Sequence, residues 1–180
     1  GRDLEAMATM SEEVLDEDYL RYRIGQVRSL GTMLEDSGVP IVKPVGGHAV
    51  YVNAKAFLPH LHQSQFPAQA LAVALYRDFG IRTVEIGTVM YGKRDPATQQ
   101  ASYPQLELVR LAIPRRVYTN QHLAFVAEAM RDLYHRRESI GGLVMTYEAP
   151  RLRHFTARFE EEVPAGALWP GAGFAAAPLS

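Results

Sequence analysis

An arginine stands in the middle of an apolar, strand-forming stretch, Leu106-Glu107-Leu108-Val109-Arg110-Leu111-Ala112-Ile113-Pro114. Burying a guanidinium in a sheet costs several kcal/mol unless a carboxylate or a dense set of acceptors meets it. Arg110 therefore either binds a carboxylate, whose two oxygens match its planar fork as lysine cannot, or faces water from an edge strand. Further on, Arg153-His154-Phe155-Thr156-Ala157 reads as part of a short strand with His154 and Thr156 on one face. An imidazole there can orient a polar group on a ligand ring, or can simply be a hydrogen-bonded histidine of the sheet. His48 follows Gly46-Gly47, where backbone can approach a ligand closely. His60 and His62 have no third ligand at zinc-like spacing, so a surface loop is expected there. Arg115-Arg116 reads as a solvated turn. No glycine-rich phosphate loop, nucleophile elbow or paired-carboxylate motif is present.

The elements that must position these residues follow from local patterning. A first helix is expected to be capped by Asp3 and to bury Leu4, Met7 and Met10; a second, over 19–37, has Leu20, Ile24, Val27, Gly31 and Leu34 at helical spacing and ends at Gly38. Strands are expected at 39–45 and 48–52 around the glycine pair, then a short helix capped by Asn53. A longer helix has Pro67 in its first turn, Leu71, Leu75 and Phe79 inward and Gly80 at its end. A strand at 81–85, continuing over 88–91 after a break at Gly87, precedes a polar connection over 92–104. The Arg110 strand puts Val109, Leu111 and Ile113 on one face and Leu108, Arg110 and Ala112 on the other. A helix capped at Thr119 or Asn120, with Leu123, Val126, Met130 and Leu133 buried, ends at Gly141-Gly142, and strands at 143–147 and 152–159 close the domain. The expected fold class is α+β, with helices packed on a largely antiparallel or mixed sheet. Residues 1–162 form this domain; 163–180, rich in Ala, Gly and Pro with Trp169 and Phe174, read as a tail or a strap on a partner.

The 180 residues carry a formal net charge of -1, so nothing points to nucleic acid or an anionic membrane as partner. The absence of cysteine removes disulfides and thiolate metal sites. No apolar run reaches the roughly 18 residues that span a bilayer, and no signal sequence opens the chain, so a cytoplasmic setting is the expectation. Basic residues are 16 Arg against Lys43, Lys55 and Lys93, leaving few candidates for lysine-based covalent chemistry.

Eight colinear blocks carry a resemblance: Gly1-Arg2-Asp3-Leu4-Glu5-Ala6, Tyr22-Arg23-Ile24-Gly25-Gln26-Val27, Gly46-Gly47-His48-Ala49-Val50, Gln65-Phe66-Pro67-Ala68-Gln69-Ala70-Leu71, Gly80-Ile81-Arg82, Val84-Glu85-Ile86-Gly87, Val109-Arg110-Leu111-Ala112-Ile113-Pro114 and Leu152-Arg153-His154-Phe155-Thr156-Ala157. Together they resemble the β-eliminating lyases, the tryptophanase and tyrosine phenol-lyase family, over 1–159. The resemblance is to the C-terminal part only, the small domain of fold-type I pyridoxal phosphate (PLP) enzymes. It implies that the Schiff-base lysine, the ring-stacking aromatic and the phosphate cup belong to an N-terminal part that this chain does not carry, so no cofactor-binding residue is expected here.

By the same resemblance Arg110 matches the arginine that binds the substrate α-carboxylate. His154 matches the histidine that tryptophanases place where phenol-lyases have phenylalanine, and Ile86 sits where phenol-lyases carry an arginine for the phenolic ring. Both point to the tryptophanase side. His48 matches a supporting histidine near the site and Phe155 an aromatic beside the pocket. The implied reaction takes the α-proton, protonates the ring at its attachment carbon and releases the ring, leaving pyruvate and ammonia; the cofactor is the electron sink. Potassium is a further family expectation, with no ligand set identified here. The expectation is therefore one part of a PLP-dependent lyase, inactive alone and working in a hetero-oligomer with a PLP-binding half. A non-catalytic binding or regulatory subunit and a tyrosine phenol-lyase-like substrate choice are the alternatives.

Overall fold

The computed structural model describes residues 1–95, 97–114 and 116–162. The expected tail with Trp169, and Arg115, lie outside them. Helix α1 (Arg2–Glu13) leads into α2 (Glu17–Asp36), which Asp16 caps by accepting the Tyr19 N–H at 2.7 Å. Helix α2 buries Val27, Leu30 and Leu34, and Gly31 lets Val45 come close: a Cβ there would lie 2.7 Å from the valine methyl. Strand β1 (Ala49–Asn53) runs into the turn α3 (Ala54–Phe57), capped by Asn53 through the Ala56 N–H at 3.1 Å. Helix α4 (Pro67–Phe79) begins on its proline and ends at left-handed Gly80.

Then come β2 (Val84–Ile86), α5 (Thr88–Tyr91), the two-residue strands β3 (Lys93–Arg94) and β4 (Ala101–Ser102), and β5 (Leu108–Ala112). Helix α6 (Asn120–His135) starts at Thr119. Strand β6 (Leu143–Tyr147), the turn α7 (Arg153–Thr156) and β7 (Arg158–Glu161) follow.

The fold is mixed α+β with small antiparallel sheets, as expected. The central sheet has the order β1-β5-β2, both pairings antiparallel. Val50, Val52, Val109 and Leu111 share its inner face and meet Leu30 and Leu34 of α2, Leu71 and Leu75 of α4, and Met130 and Leu133 of α6. Each such buried branched side chain contributes about 1.5–3 kcal/mol. Strands β6 and β7 form a separate hairpin, held to α4 by the Phe66–Phe159 ring contact at 5.4 Å and the Arg77–Glu161 ion pair at 2.7 Å.

Several local expectations are corrected. Leu4, Met7 and Met10 of α1 are exposed, Asp3 lies inside its first turn and not at the cap, and α1 contains no buried residue; an ion pair between Glu13 and Arg116 ties it to the rest. Residues 39–45 pair with β1 only through an Ile41–Val52 bridge, because Pro40 and Pro44 each lack an N–H to give a ladder. Residues 88–91 and 153–156 are helical turns where strand was expected. Helix α6 stops at Arg136, before the glycine pair.

Candidate functional site

The register of the central sheet decides which candidates meet. Tyr51, Arg110 and Val84 lie in one row across β1, β5 and β2, and Asn53, Leu108 and Ile86 form the next row on that same face. This is the face opposite the helices, so Arg110 and Ile86 lie near one another outside the core. The His48 ring sits edge-on to Tyr51, centroids 6.4 Å apart, which brings a third candidate to the same face. His48 also accepts the Ile113 N–H through its backbone carbonyl at 3.1 Å, fixing the start of β1 against the end of β5.

Arg110 is half-buried, and its Nε is fully buried without a hydrogen-bond partner among the described residues. No carboxylate among them lies within ion-pair distance. Buried donors are nearly always satisfied, so this nitrogen can take an acceptor that the described residues do not supply. Arg23 Nη1 and Thr83 Oγ1 share the condition; Arg110 differs in standing mid-strand between two other candidates.

His154 and Phe155 sit apart from this group, on α7. Their rings contact each other at 4.1 Å, and Phe155 is 76% exposed. Among the described residues no hydrogen bond or ring contact joins them to Arg110 or His48. Arg153 holds the turn instead: Nε donates to the Val89 carbonyl at 2.7 Å, Nη2 to the carbonyls of Thr88 (2.7 Å) and Gly92, and Nη1 to Glu148 at 2.5 Å. The acceptors at Thr88 and Val89 belong to α5, which follows Ile86 after a single glycine. The two candidate groups are thus joined through α5.

Two buried carboxylates build that junction. Glu107, 1% exposed, accepts the Thr88 hydroxyl at 2.6 Å, the Thr88 N–H at 3.1 Å and the Gln63 amide at 3.3 Å. Glu85 accepts the Val89 and Met90 N–H groups at 3.0 and 3.2 Å. Burial pushes the Glu85 carboxyl up to about 7, helped by the negative Glu107 and opposed by those N–H bonds. Neither glutamate nor Arg153 was singled out by sequence reasoning, although each glutamate interrupts an apolar strand much as Arg110 does. His60 and His62 are engaged separately: His60 Nε2 lies 2.9 Å from the Ile140 carbonyl and His62 Nδ1 2.9 Å from the Ser64 hydroxyl. Among the described residues no group of three or more His, Asp or Glu could hold a metal ion, and no helix is long and apolar enough to cross a membrane.

A sign follows for pH dependence. The folded state holds the Glu85 proton more tightly than the unfolded chain, whose carboxyl has its ordinary value of 4.5. Stability from this group is therefore fully present below 4.5 and is lost as pH rises through about 7, by at most about 3 kcal/mol. Glu85→Gln is expected to flatten the profile and to be more stable than wild type at pH 8. Urea midpoints of both proteins at pH 5 and pH 8 check this, and an unchanged pH 5 to pH 8 difference in the variant refutes it.

The geometry defines an α+β domain with a strand arginine that has no hydrogen-bond partner for its Nε among the described residues, between apolar and aromatic row neighbours, Val84 and Tyr51. The family model described as beta-eliminating lyase matches residues 11–129. The chain belongs to the β-eliminating lyase family. It is 57% identical over 160 residues to a tyrosine phenol-lyase of Symbiobacterium thermophilum, covering 89% of this chain and 35% of that protein. It is 52% identical over 164 residues to a tryptophanase of Salinibacter ruber, covering 91% and 34%. A tryptophanase of Hyphomonas neptunium is 48% identical over 160 residues, covering 89% and 35%. The chain therefore spans about a third of the length of the curated relatives it matches.

Proposed function

We propose that this chain supplies the substrate-carboxylate arginine, Arg110, of a PLP-dependent β-eliminating lyase that splits an aromatic amino acid into the free ring compound, pyruvate and ammonia. The observation that carries the reading is the half-buried Arg110 with its orphan Nε, on the sheet face it shares with Ile86. The described residues do not fit covalent PLP: Lys43 pairs with Glu35 at 2.9 Å, Lys55 reaches Gln63 at 3.4 Å, and Lys93 is exposed on the β3–β4 hairpin. In this reading the cofactor belongs to a separate PLP-binding part, in a cytoplasmic hetero-oligomer, and this chain's lysines take no part in the chemistry. What these residues do is bind and orient. Arg110 clamps the carboxylate and so sets the direction of the Cα–H bond; Ile86 offers the ring an apolar wall; and closure of this domain keeps water out.

Reconstitution tests the reading. Co-expressed with a polypeptide that supplies the PLP-binding part, the chain is expected to show a shift in cofactor absorbance on adding an aromatic amino acid, and release of indole or phenol. A folded assembly that does neither overturns it, as does a native mass showing no assembly. Ile86 and His154 favour tryptophan as substrate; the 57% identity to a phenol-lyase favours tyrosine. Relative turnover of the two amino acids decides. Ile86→Arg is expected to raise the tyrosine-to-tryptophan ratio of kcat/KM by about tenfold or more, because a pocket donor rewards the phenolic oxygen.

A further inference from the structure

We propose that Arg153 is a positioning residue for ring discrimination: its guanidinium pins the turn carrying His154 and Phe155 to the segment that follows Ile86. The inference rests on the lyase reading above and goes beyond the carboxylate contact. Turn α7 contains no buried residue; Leu152, which caps it, and Phe155 on it are exposed by 66% and 76%. A four-residue turn with no apolar anchor has no packing to fix it. Arg153 supplies the missing constraint. Its side chain is only 16% exposed and spends its donors on a carboxylate and three carbonyls, those of Thr88 and Val89 in α5 and of Gly92 at its C-terminal cap. A single helical turn leaves most of its carbonyls without an intrahelical donor, and a guanidinium can supply several at once.

Gly92 makes the approach possible, since a Cβ there would stand 3.0 Å from Arg153 Nη2 and 2.5 Å from the Thr88 oxygen. Four bonds in fixed directions leave the next residue little rotational freedom. His154 and Phe155 therefore move as one unit with α5, and α5 moves with Ile86 across Gly87. Among the described residues no hydrogen bond joins Arg153 to Arg110, which is tied to α5 only at one remove, through Glu107 and the β2–β5 pairing. Arg153 thus acts on which ring is accepted and not on whether the amino-acid end is held. Lysine cannot stand in for it, because a single ammonium reaches at most part of this set of acceptors.

The test compares wild type, Arg153→Ala, Arg153→Lys and, as a variant expected to fold normally, Glu148→Gln. In the reconstituted lyase, Arg153→Ala and Arg153→Lys are expected to lower kcat/KM for the aromatic substrate about 30-fold or more. Affinity for alanine, which has no ring, is expected to stay within about twofold. In the full chain with 13C-labelled histidine, the His154 ring resonances, displaced in wild type by the adjacent Phe155 ring, are expected to move toward free-histidine positions in both Arg153 variants and to shift only slightly in Glu148→Gln. Unchanged His154 resonances in Arg153→Ala overturn the proposal. So does a parallel loss of alanine affinity, which would make Arg153 a general support of the fold. If Arg153→Ala does not fold, Arg153→Lys carries both readouts. An assembly with no lyase turnover at all refutes the proposed function while leaving the resonance test of the clamp intact.

Discussion

If Arg110 holds the substrate carboxylate as proposed, replacing it with alanine is expected to lower kcat/KM of the reconstituted lyase by about 30- to 4,000-fold, the loss of about 2–5 kcal/mol that follows when one partner of a partly buried charged contact is removed. The chain itself does not suffer. Among the described residues the buried Arg110 Nε has no partner, so its removal relieves a desolvation penalty of about 1–3 kcal/mol while giving up some packing of the aliphatic stem. The melting temperature is accordingly expected to stay within a few degrees of wild type. That pairing of large functional loss with unchanged stability is what separates a ligand-binding arginine from a structural one. Arg110→Lys keeps the charge but not the two-pronged geometry, and is expected to recover less than roughly half of the lost free energy. Steady-state kinetics and binding of alanine, a ligand without a leaving ring, check both variants. If Arg110→Ala leaves amino-acid affinity unchanged, the carboxylate role fails, and a non-catalytic subunit becomes the better account of the same fold.

What was legible in the sequence was what depends on neighbours in the chain. Helices α2, α4 and α6 showed in their 3.6-residue patterns, with caps or stops at Gly38, Pro67, Gly80 and Thr119. The strand around Arg110 showed in its alternation, which placed the arginine on the face opposite Val109 and Leu111. The convergence of Ile86 and His48 with Arg110 was not legible in local patterning and came only from the family resemblance, because it depends on the register of three strands far apart in sequence. Turns α5 and α7 were read as strand for a related reason. Four residues hold barely one helical turn, too little for a period to appear, and Thr88-Val89 favours strand on composition alone. What makes α5 helical is a set of acceptors: Glu107 on the Thr88 N–H from 19 positions away, and Glu85 on the next two N–H groups. Arg153 then takes up its carbonyls from some 60 positions further on. Helix α1 failed in the opposite sense: its apolar stripe is present, but the described fold brings nothing over Leu4, Met7 or Met10.

The same junction yields the largest expected stability effect. Gly87→Ala is expected to destabilise the chain by about 3 kcal/mol, through contact rather than backbone strain, since φ of -163° at this glycine is extended and open to any residue. A Cβ at Gly87 would stand 2.6 Å from the Glu107 carboxyl carbon and from one of its oxygens. A flexible side chain on the surface would swing away, but Glu107 is 1% exposed and its oxygens are held by Thr88 and Gln63. To make room it must give up charge-assisted bonds worth about 1.5–3 kcal/mol each in a place water does not reach. Glu107→Ala alone orphans the Thr88 N–H but removes a negative charge beside Glu85, so its cost is partly offset, and the Glu85 carboxyl falls back toward its ordinary value. In the Glu107→Ala background the alanine at 87 fills vacated space, and its own cost is expected to drop below about 1 kcal/mol. A double-mutant cycle by urea unfolding should therefore return a coupling of about 2 kcal/mol; additive effects would mean that Gly87 serves some purpose other than admitting the Glu107 carboxylate. Because Ile86 precedes this glycine and Arg110 follows Glu107 by three residues, a retreat of the carboxylate that shifts the backbone is expected to move Ile86 relative to Arg110, the two residues proposed to meet the substrate. The aromatic-to-alanine selectivity of Gly87→Ala should fall along with its stability, and Glu107→Ala should restore part of both.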